Sequence, residues 1–170
     1  MKKVVSTLLL STLIYCPAVA EDKVYTSADI KSCGELTCDL NEKPITGLLK
    51  FYYENGKLEG EIPYKNGEID GLLKGYYENG KLEAEIPYKN GEIDGLSKTY
   101  YEDGSLRVEI PYKNGKLEGL SKTYYKNGDL LSEITFKNGT TVSGFMYEPT
   151  GKKTPMTNAH LHNFTRGLSK

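Results

Sequence analysis

Histidine is almost missing from this chain: only two of its 170 residues are histidine, His160 and His162, and only three are cysteine. That scarcity removes most routes to chemistry, because no Ser/His/Asp or Cys/His constellation can be assembled without those two histidines. His-Leu-His is the one place to look for a metal. On a strand the two rings would share a face, whereas on a helix of about 3.6 residues per turn they would point roughly 200° apart. No third or fourth ligand is suggested by spacing, so a solvated C-terminal segment is the favoured reading and a metal-dependent hydrolase using His160 and His162 the less favoured one. A Gly-rich phosphate loop is also missing, since every glycine cluster falls at a turn or a strand centre. Neither catalytic, cofactor-binding nor metal-binding residues are expected, and the chain does not read as an enzyme.

Charge of one sign is lacking too. Lys and Arg number 22 against 23 Asp and Glu, for a net charge of −1, and the signs are interleaved. Nucleic acid is therefore not an expected partner, and no charged tail is present. One apolar run exists, at residues 4–15, behind Lys2 and Lys3 and ahead of Ala18-Val19-Ala20. It is too short for a transmembrane helix, which needs about 20 residues, and reads as a signal peptide over residues 1–20, cleaved after Ala20. Acylation of Cys16 is the alternative, but Tyr15 stands where a small residue is expected. Cleavage removes two lysines and leaves 150 residues with 20 basic and 23 acidic groups, one domain's worth of chain. The expectation is an exported protein in the periplasm, at the cell surface or secreted, with membrane contact at most peripheral.

Cys33 and Cys38 remain after cleavage. In an oxidising compartment they are expected to form a disulfide, worth less than about 3 kcal/mol because the loop is short. CGELTC is not C-x-x-C, which argues against a redox-active pair.

What the chain has in abundance is one phrase, repeated. Copies begin at Gly47, Gly71, Gly95 and Gly119, a step of 24 residues, and a fixed period of this size marks a repeat architecture. Each copy carries two Asn-Gly or Asp-Gly turn signals, ending on Gly56 and Gly67, Gly80 and Gly91, Gly104 and Gly115, Gly128 and Gly139. Such pairs suit two-residue type I′ turns, which need positive φ at both positions. Between them run segments with the period-2 texture of strands, so the chain reads as an antiparallel meander of hairpins.

Register follows from the turns. A two-residue turn at Asn79-Gly80 sets Glu78 opposite Lys81, Tyr77 opposite Leu82, Tyr76 opposite Glu83, Gly75 opposite Ala84, Lys74 opposite Glu85, Leu73 opposite Ile86, Leu72 opposite Pro87 and Gly71 opposite Tyr88. The Asn90-Gly91 turn sets Tyr88 opposite Ile93 and Ile86 opposite Gly95. One face is then Tyr, Leu, Ile and small residues, and the other is charged with Tyr and Leu among the charges. Cross-strand pairs such as Lys74 and Glu85 would each contribute about 0.2–1 kcal/mol.

Eleven tyrosines lie between Tyr52 and Tyr125, in columns Tyr52/76/100/124, Tyr53/77/101/125 and Tyr64/88/112, with equivalent residues about 10 Å apart. High β propensity assigns the apolar-face columns to structure. The Tyr52, Tyr76, Tyr100 and Tyr124 column, set among Lys and Glu, is balanced between structure and a contact surface, because tyrosine joins broad apolar area to a polar tip. Residues 21–46 lack the repeat and read as an N-terminal cap with a short helical turn near 27–30. Residues 145–170 read as a degenerate copy and a C-terminal cap. There Gly144 arrives one residue late, which predicts a bulge, Pro149-Thr150-Gly151 replaces a turn, and Leu161, Phe164 and Leu168 suggest a short helix starting at Thr157 or Asn158.

The phrase G-x-x-K-x-Y-Y-E-N-G-K-L-E-x-E-I-P-Y-K-N-G-E-I-D-G resembles the MORN repeat variant, the bacterial form of the membrane-occupation-and-recognition-nexus repeat. The resemblance covers 47–144 strongly and 145–157 weakly. It implies an elongated, grooved single sheet of consecutive hairpins used for interaction rather than catalysis. Some relatives are labelled antitoxins, but the leader here departs from a cytoplasmic antitoxin. Eukaryotic MORN proteins are linked to membranes and phosphoinositides, for which the near-neutral charge gives little support. The sequence is therefore read as an exported, non-catalytic protein-interaction module of the bacterial envelope with a protein partner. A structural or membrane-apposed spacer is the alternative from another class.

Overall fold

The computed structural model describes residues 23–157 and Leu161. The expected signal peptide, Cys16, His160, His162, Phe164 and Leu168 lie outside the described residues. The described chain is a β protein. After β1 (Val24–Tyr25) and a 3-10 turn (Ser27–Asp29) come β2 (Ile30–Cys33) and β3 (Leu36–Asp39), a separate two-stranded hairpin. The repeats then lay down β4 (Gly47–Tyr52), β5 (Leu58–Lys65), β6 (Glu68–Ile69), β7 (Gly71–Tyr76), β8 (Leu82–Lys89), β9 (Glu92–Ile93), β10 (Gly95–Tyr100), β11 (Leu106–Lys113), β12 (Lys116–Leu117), β13 (Gly119–Tyr124) and β14 (Leu130–Lys137), closed by β15 (Thr140–Tyr147) and β16 (Lys153–Pro155). With β1 they form one 14-stranded sheet in which consecutive long strands are neighbours.

The two turns of each copy differ, which corrects the expectation that both are two-residue turns. At Asn66, Asn90, Asn114 and Asn138 both Asn and Gly have positive φ. These are type I′ turns, and Tyr88 pairs with Ile93 as the sequence predicts. At Asn79-Gly80 only the glycine has positive φ. Gly80 N–H donates to Tyr77 O at 2.8 Å and Tyr77 N–H to Lys81 O at 2.9 Å, so the loop has three residues, a type I turn followed by a left-handed glycine. The cause is local: Asn79 Oδ1 accepts from Lys81 N–H at 2.9 Å, the side-chain turn bond that asparagine favours. Tyr76 therefore pairs with Leu82, not Glu83, and Glu83 is left as a bulge. The longer turn and the bulge cancel, so Gly75↔Ala84, Lys74↔Glu85, Leu73↔Ile86 and Gly71↔Tyr88 stand as expected.

A second correction lies after the type I′ turn. Ile86 does not fall opposite Gly95, because the ladder resumes at Lys98↔Glu85 and Thr99↔Ala84, two residues later. Proline causes this break. Pro87 O accepts from Asp94 N–H at 3.0 Å, and the amide that proline lacks would point the same way, so the ladder cannot continue there. The chain kinks through Gly95, whose φ is +127° and where a Cβ would lie 2.9 Å from Pro87 Cγ. A slip of two keeps each side chain on its expected face. The fourth copy is a natural control. Thr135 replaces the proline, β15 runs unbroken, and only a one-residue bulge remains, the irregularity predicted from the late Gly144.

A single sheet leaves both faces half-covered, and the buried core sits at its ends. Tyr25, Ile45 and Leu49 are buried together against Ile30, Phe51, Ile62 and Tyr64. This cluster joins the N-terminal segment, which carries the Cys33–Cys38 disulfide, to the first repeat. Burying each such side chain contributes about 1.5–3 kcal/mol. Ile134 and Phe136 are buried at the other end. Gly144 lies beneath Met156 and Leu161, whose atoms would be 2.9 and 2.7 Å from an added Cβ. Among the described residues the predicted C-terminal helix contributes one helical bond, Leu161 N–H to Thr157 O at 3.1 Å.

Candidate contact face

The charged face is built from one unit used four times. Tyr76 Oη donates to Glu61 at 3.1 Å, Tyr100 to Glu85 at 2.8 Å, Tyr124 to Glu109 at 3.0 Å and Tyr147 to Glu133 at 2.5 Å. Each bond reaches back to the preceding copy. Tyr147 takes the place of the column in the degenerate copy because the one-residue bulge moves it there. Lys50 forms an ion pair with Glu61 at 3.1 Å. Glu133 is 3.8 Å from Lys153 Nζ, whereas Glu85 and Glu109, expected in Lys–Glu pairs, give one oxygen to a tyrosine. Burial, and then the bond to Glu85 or Glu109, pushes the Tyr100 and Tyr124 hydroxyls up to about 12. Tyr76 is raised for the same reasons. These three hydroxyls are satisfied internally, so their rings, not their polar tips, are what the face presents. Tyr52 differs: it is 50% exposed, and its hydroxyl has no hydrogen bond among the described residues.

The second column holds the edge. Tyr53 Oη donates to Tyr76 O, Tyr77 to Tyr100 O and Tyr101 to Tyr124 O, at 2.6–2.7 Å. Lys57 and Lys81 cap the carbonyls of Glu78 and Asp103. In the third column Tyr64 packs into the N-terminal core, and burial raises the Tyr112 hydroxyl. The eight turn glycines all have positive φ.

What sequence reasoning did not single out is a row of leucines. Leu72, Leu96 and Leu120 are 42%, 43% and 43% exposed and lie opposite Pro87, Pro111 and Thr135. They share the face of Tyr76, Tyr100 and Tyr124. The signal was present as a leucine of the wrong parity for the core, recurring with the repeat. The apolar face has cover at both ends from the segments flanking the repeats, whereas this leucine row stays open to solvent. Among the described residues no three His, Cys, Asp or Glu side chains gather as a metal site, and no helix is long and apolar enough to cross a membrane.

Four units of this hairpin pattern match the family model described as MORN repeat variant, at residues 45–66, 69–90, 93–114 and 117–138. The chain belongs to that family. Its MORN repeats are of a kind that generally serves protein or membrane interaction and is typically non-catalytic. No curated protein shows significant similarity to the chain. The disulfide of this MORN protein points to a non-reducing environment.

Proposed function

We propose that this MORN repeat protein is an exported, non-catalytic interaction module of the bacterial envelope, cleaved after Ala20, and that it contacts a protein partner through the face carrying Tyr52, Tyr76, Tyr100 and Tyr124. The observation that carries the proposal is the exposed Leu72, Leu96 and Leu120 row beside those tyrosines. Large apolar side chains repeated along one open face mark an interaction surface, and aromatic residues are enriched at such surfaces. A leader-like N-terminus and a disulfide support export. Residues 21–46 and 145–170 serve, in this proposal, as caps that cover the apolar face and leave the mixed face to the partner.

Replacing Leu72, Leu96 and Leu120 together by serine should leave the melting curve nearly unchanged, because none is buried. It should abolish a defined crosslinked species formed in the intact envelope through a photoreactive residue at position 83. Persistence of that species in the triple variant, or its absence from the parent, rejects the proposed face. N-terminal sequencing of the protein from the envelope fraction should begin at Glu21.

A further inference from the structure

We infer that the four type I′ turns are latent modification sites, Asn66, Asn90, Asn114 and Asn138, converted to aspartate or isoaspartate when neighbouring repeats separate, with Asn114 the first to react. Seven Asn-Gly pairs stand at turns in this chain, and Asn-Gly is the sequence most open to this chemistry because glycine does not shield its own amide. The glycine nitrogen attacks Asn Cγ and gives up its proton to solvent. The N–Cγ bond forms, the departing Nδ2 takes up a proton from solvent, the Cγ–Nδ2 bond breaks, and ammonia leaves. Water then opens the succinimide at either carbonyl. The attacking nitrogen cannot act while its N–H is held in a hydrogen bond.

The fold holds that N–H in two ways. In the three-residue loops the bond is local: Gly56 to Tyr53 O, Gly80 to Tyr77 O and Gly128 to Tyr125 O. The asparagine is clamped as well, since Oδ1 of Asn55, Asn79 and Asn127 accepts the amide two residues on. In the type I′ turns the bond crosses to what precedes the repeat: Gly67 to Ile45 O of the N-terminal segment, and Gly91 to Ile69 O, Gly115 to Ile93 O and Gly139 to Leu117 O of the preceding repeat, at 2.8–2.9 Å. No hydrogen bond holds these four asparagine side chains among the described residues. Separation of two repeats, a local opening of the kind repeat arrays permit, therefore frees the nucleophile beside an unclamped amide.

The four sites are not equal. Gly67 is buried under Leu36, Thr37 and Pro44 of the N-terminal segment. The backbone N–H groups of Asn66, Asn90 and Asn138 donate to Thr46, Asp70 and Glu118. Among the described residues Asn114 has no such bond, which makes its turn the least restrained. An isoaspartyl link there would add a methylene to a two-residue turn and weaken the bond to Ile93 that joins the repeats.

Peptide mapping by mass spectrometry of the intact protein, held in mildly alkaline buffer until Asn114 conversion is measurable, tests this. Folded, Asn114 should lead, Asn90 and Asn138 should follow, and Asn66, Asn55, Asn79 and Asn127 should be at least about tenfold slower than Asn114. Unfolded in urea, the seven should react at similar rates. With urea raised below the unfolding midpoint, conversion of Asn114 should accelerate in step with hydrogen exchange at the Gly115 amide. Conversion of Asn55, Asn79 or Asn127 as fast as Asn114 in the folded protein would overturn the inference. So would an Asn114 rate that stays constant while Gly115 exchange rises.

Discussion

Tyr100 Oη lies 2.8 Å from Glu85 Oε2, across the boundary between two repeats. Glu85 is itself cross-strand partner to both Lys74 and Lys98. One tyrosine therefore joins β10 to β8 at a carboxylate that stands between Lys74 and Lys98 in the ladder, and the same arrangement recurs around Glu109.

Tyr100→Phe removes a hydrogen bond to a charged group that is partly buried. It should lower stability by about 1–2 kcal/mol, whereas Tyr52→Phe, with no such bond, should change it by less than about 0.5 kcal/mol. Urea denaturation followed by circular dichroism compares the two.

Because the folded protein holds the Tyr100 and Tyr124 hydroxyls up to about 12, against about 10 in an unfolded chain, it binds more protons than the unfolded state in between. Their contribution is complete below about pH 10 and is lost as pH rises toward 12. The midpoint of urea unfolding should fall across that window. The fall should be smaller in Tyr100→Phe/Tyr124→Phe, and ultraviolet titration should show fewer late-ionising tyrosines in that variant than in the parent, Tyr76 and Tyr112 remaining.

Gly95→Ala places a Cβ 2.9 Å from Pro87 Cγ at a φ of +127°. The expected loss is about 2–3 kcal/mol. Gly104→Ala, also at positive φ but with only the Lys81 side chain nearby at 3.8 Å, should cost about 1 kcal/mol. The difference between the two unfolding midpoints reports the proline contact together with the wider φ at Gly95.

Leu49→Ala empties a buried position and should cost about 2–5 kcal/mol. The same change at Leu72, one residue earlier in the repeat's phase and 42% exposed, should cost under about 1 kcal/mol. Thermal unfolding of both variants checks the assignment of faces.

Reducing Cys33–Cys38 should cost about 2 kcal/mol, since the closed loop is short. The effect should stay at the N-terminal end. Hydrogen exchange should quicken at Ile45 and Leu49 but not at Ile110.

The sequence alone determined the hairpin repeat, its period and the face to which each strand residue points. Spacing of Asn-Gly pairs and period-2 alternation are local properties, and the slips in register came as a cancelling pair or as a step of two, which leave parity intact. Pro87 could have announced the broken ladder, because a missing N–H is a covalent fact. The loop type at Asn79-Gly80 depended on a side-chain bond to Lys81, which competes with the type I′ geometry that Asn90-Gly91 adopts; the same dipeptide serves both. Tertiary structure alone decided what the tyrosines and glutamates do. Glu85 faces lysines by register, yet Tyr100 reaches it from the next repeat, because the slip of two after Pro87 sets Lys98 opposite Glu85 and makes Tyr100 its diagonal neighbour across the strands. It also decided that Leu49 is buried while Leu73, its counterpart in the next repeat, is only half-buried, since burial on that face depends on the segments folded over the ends of the sheet.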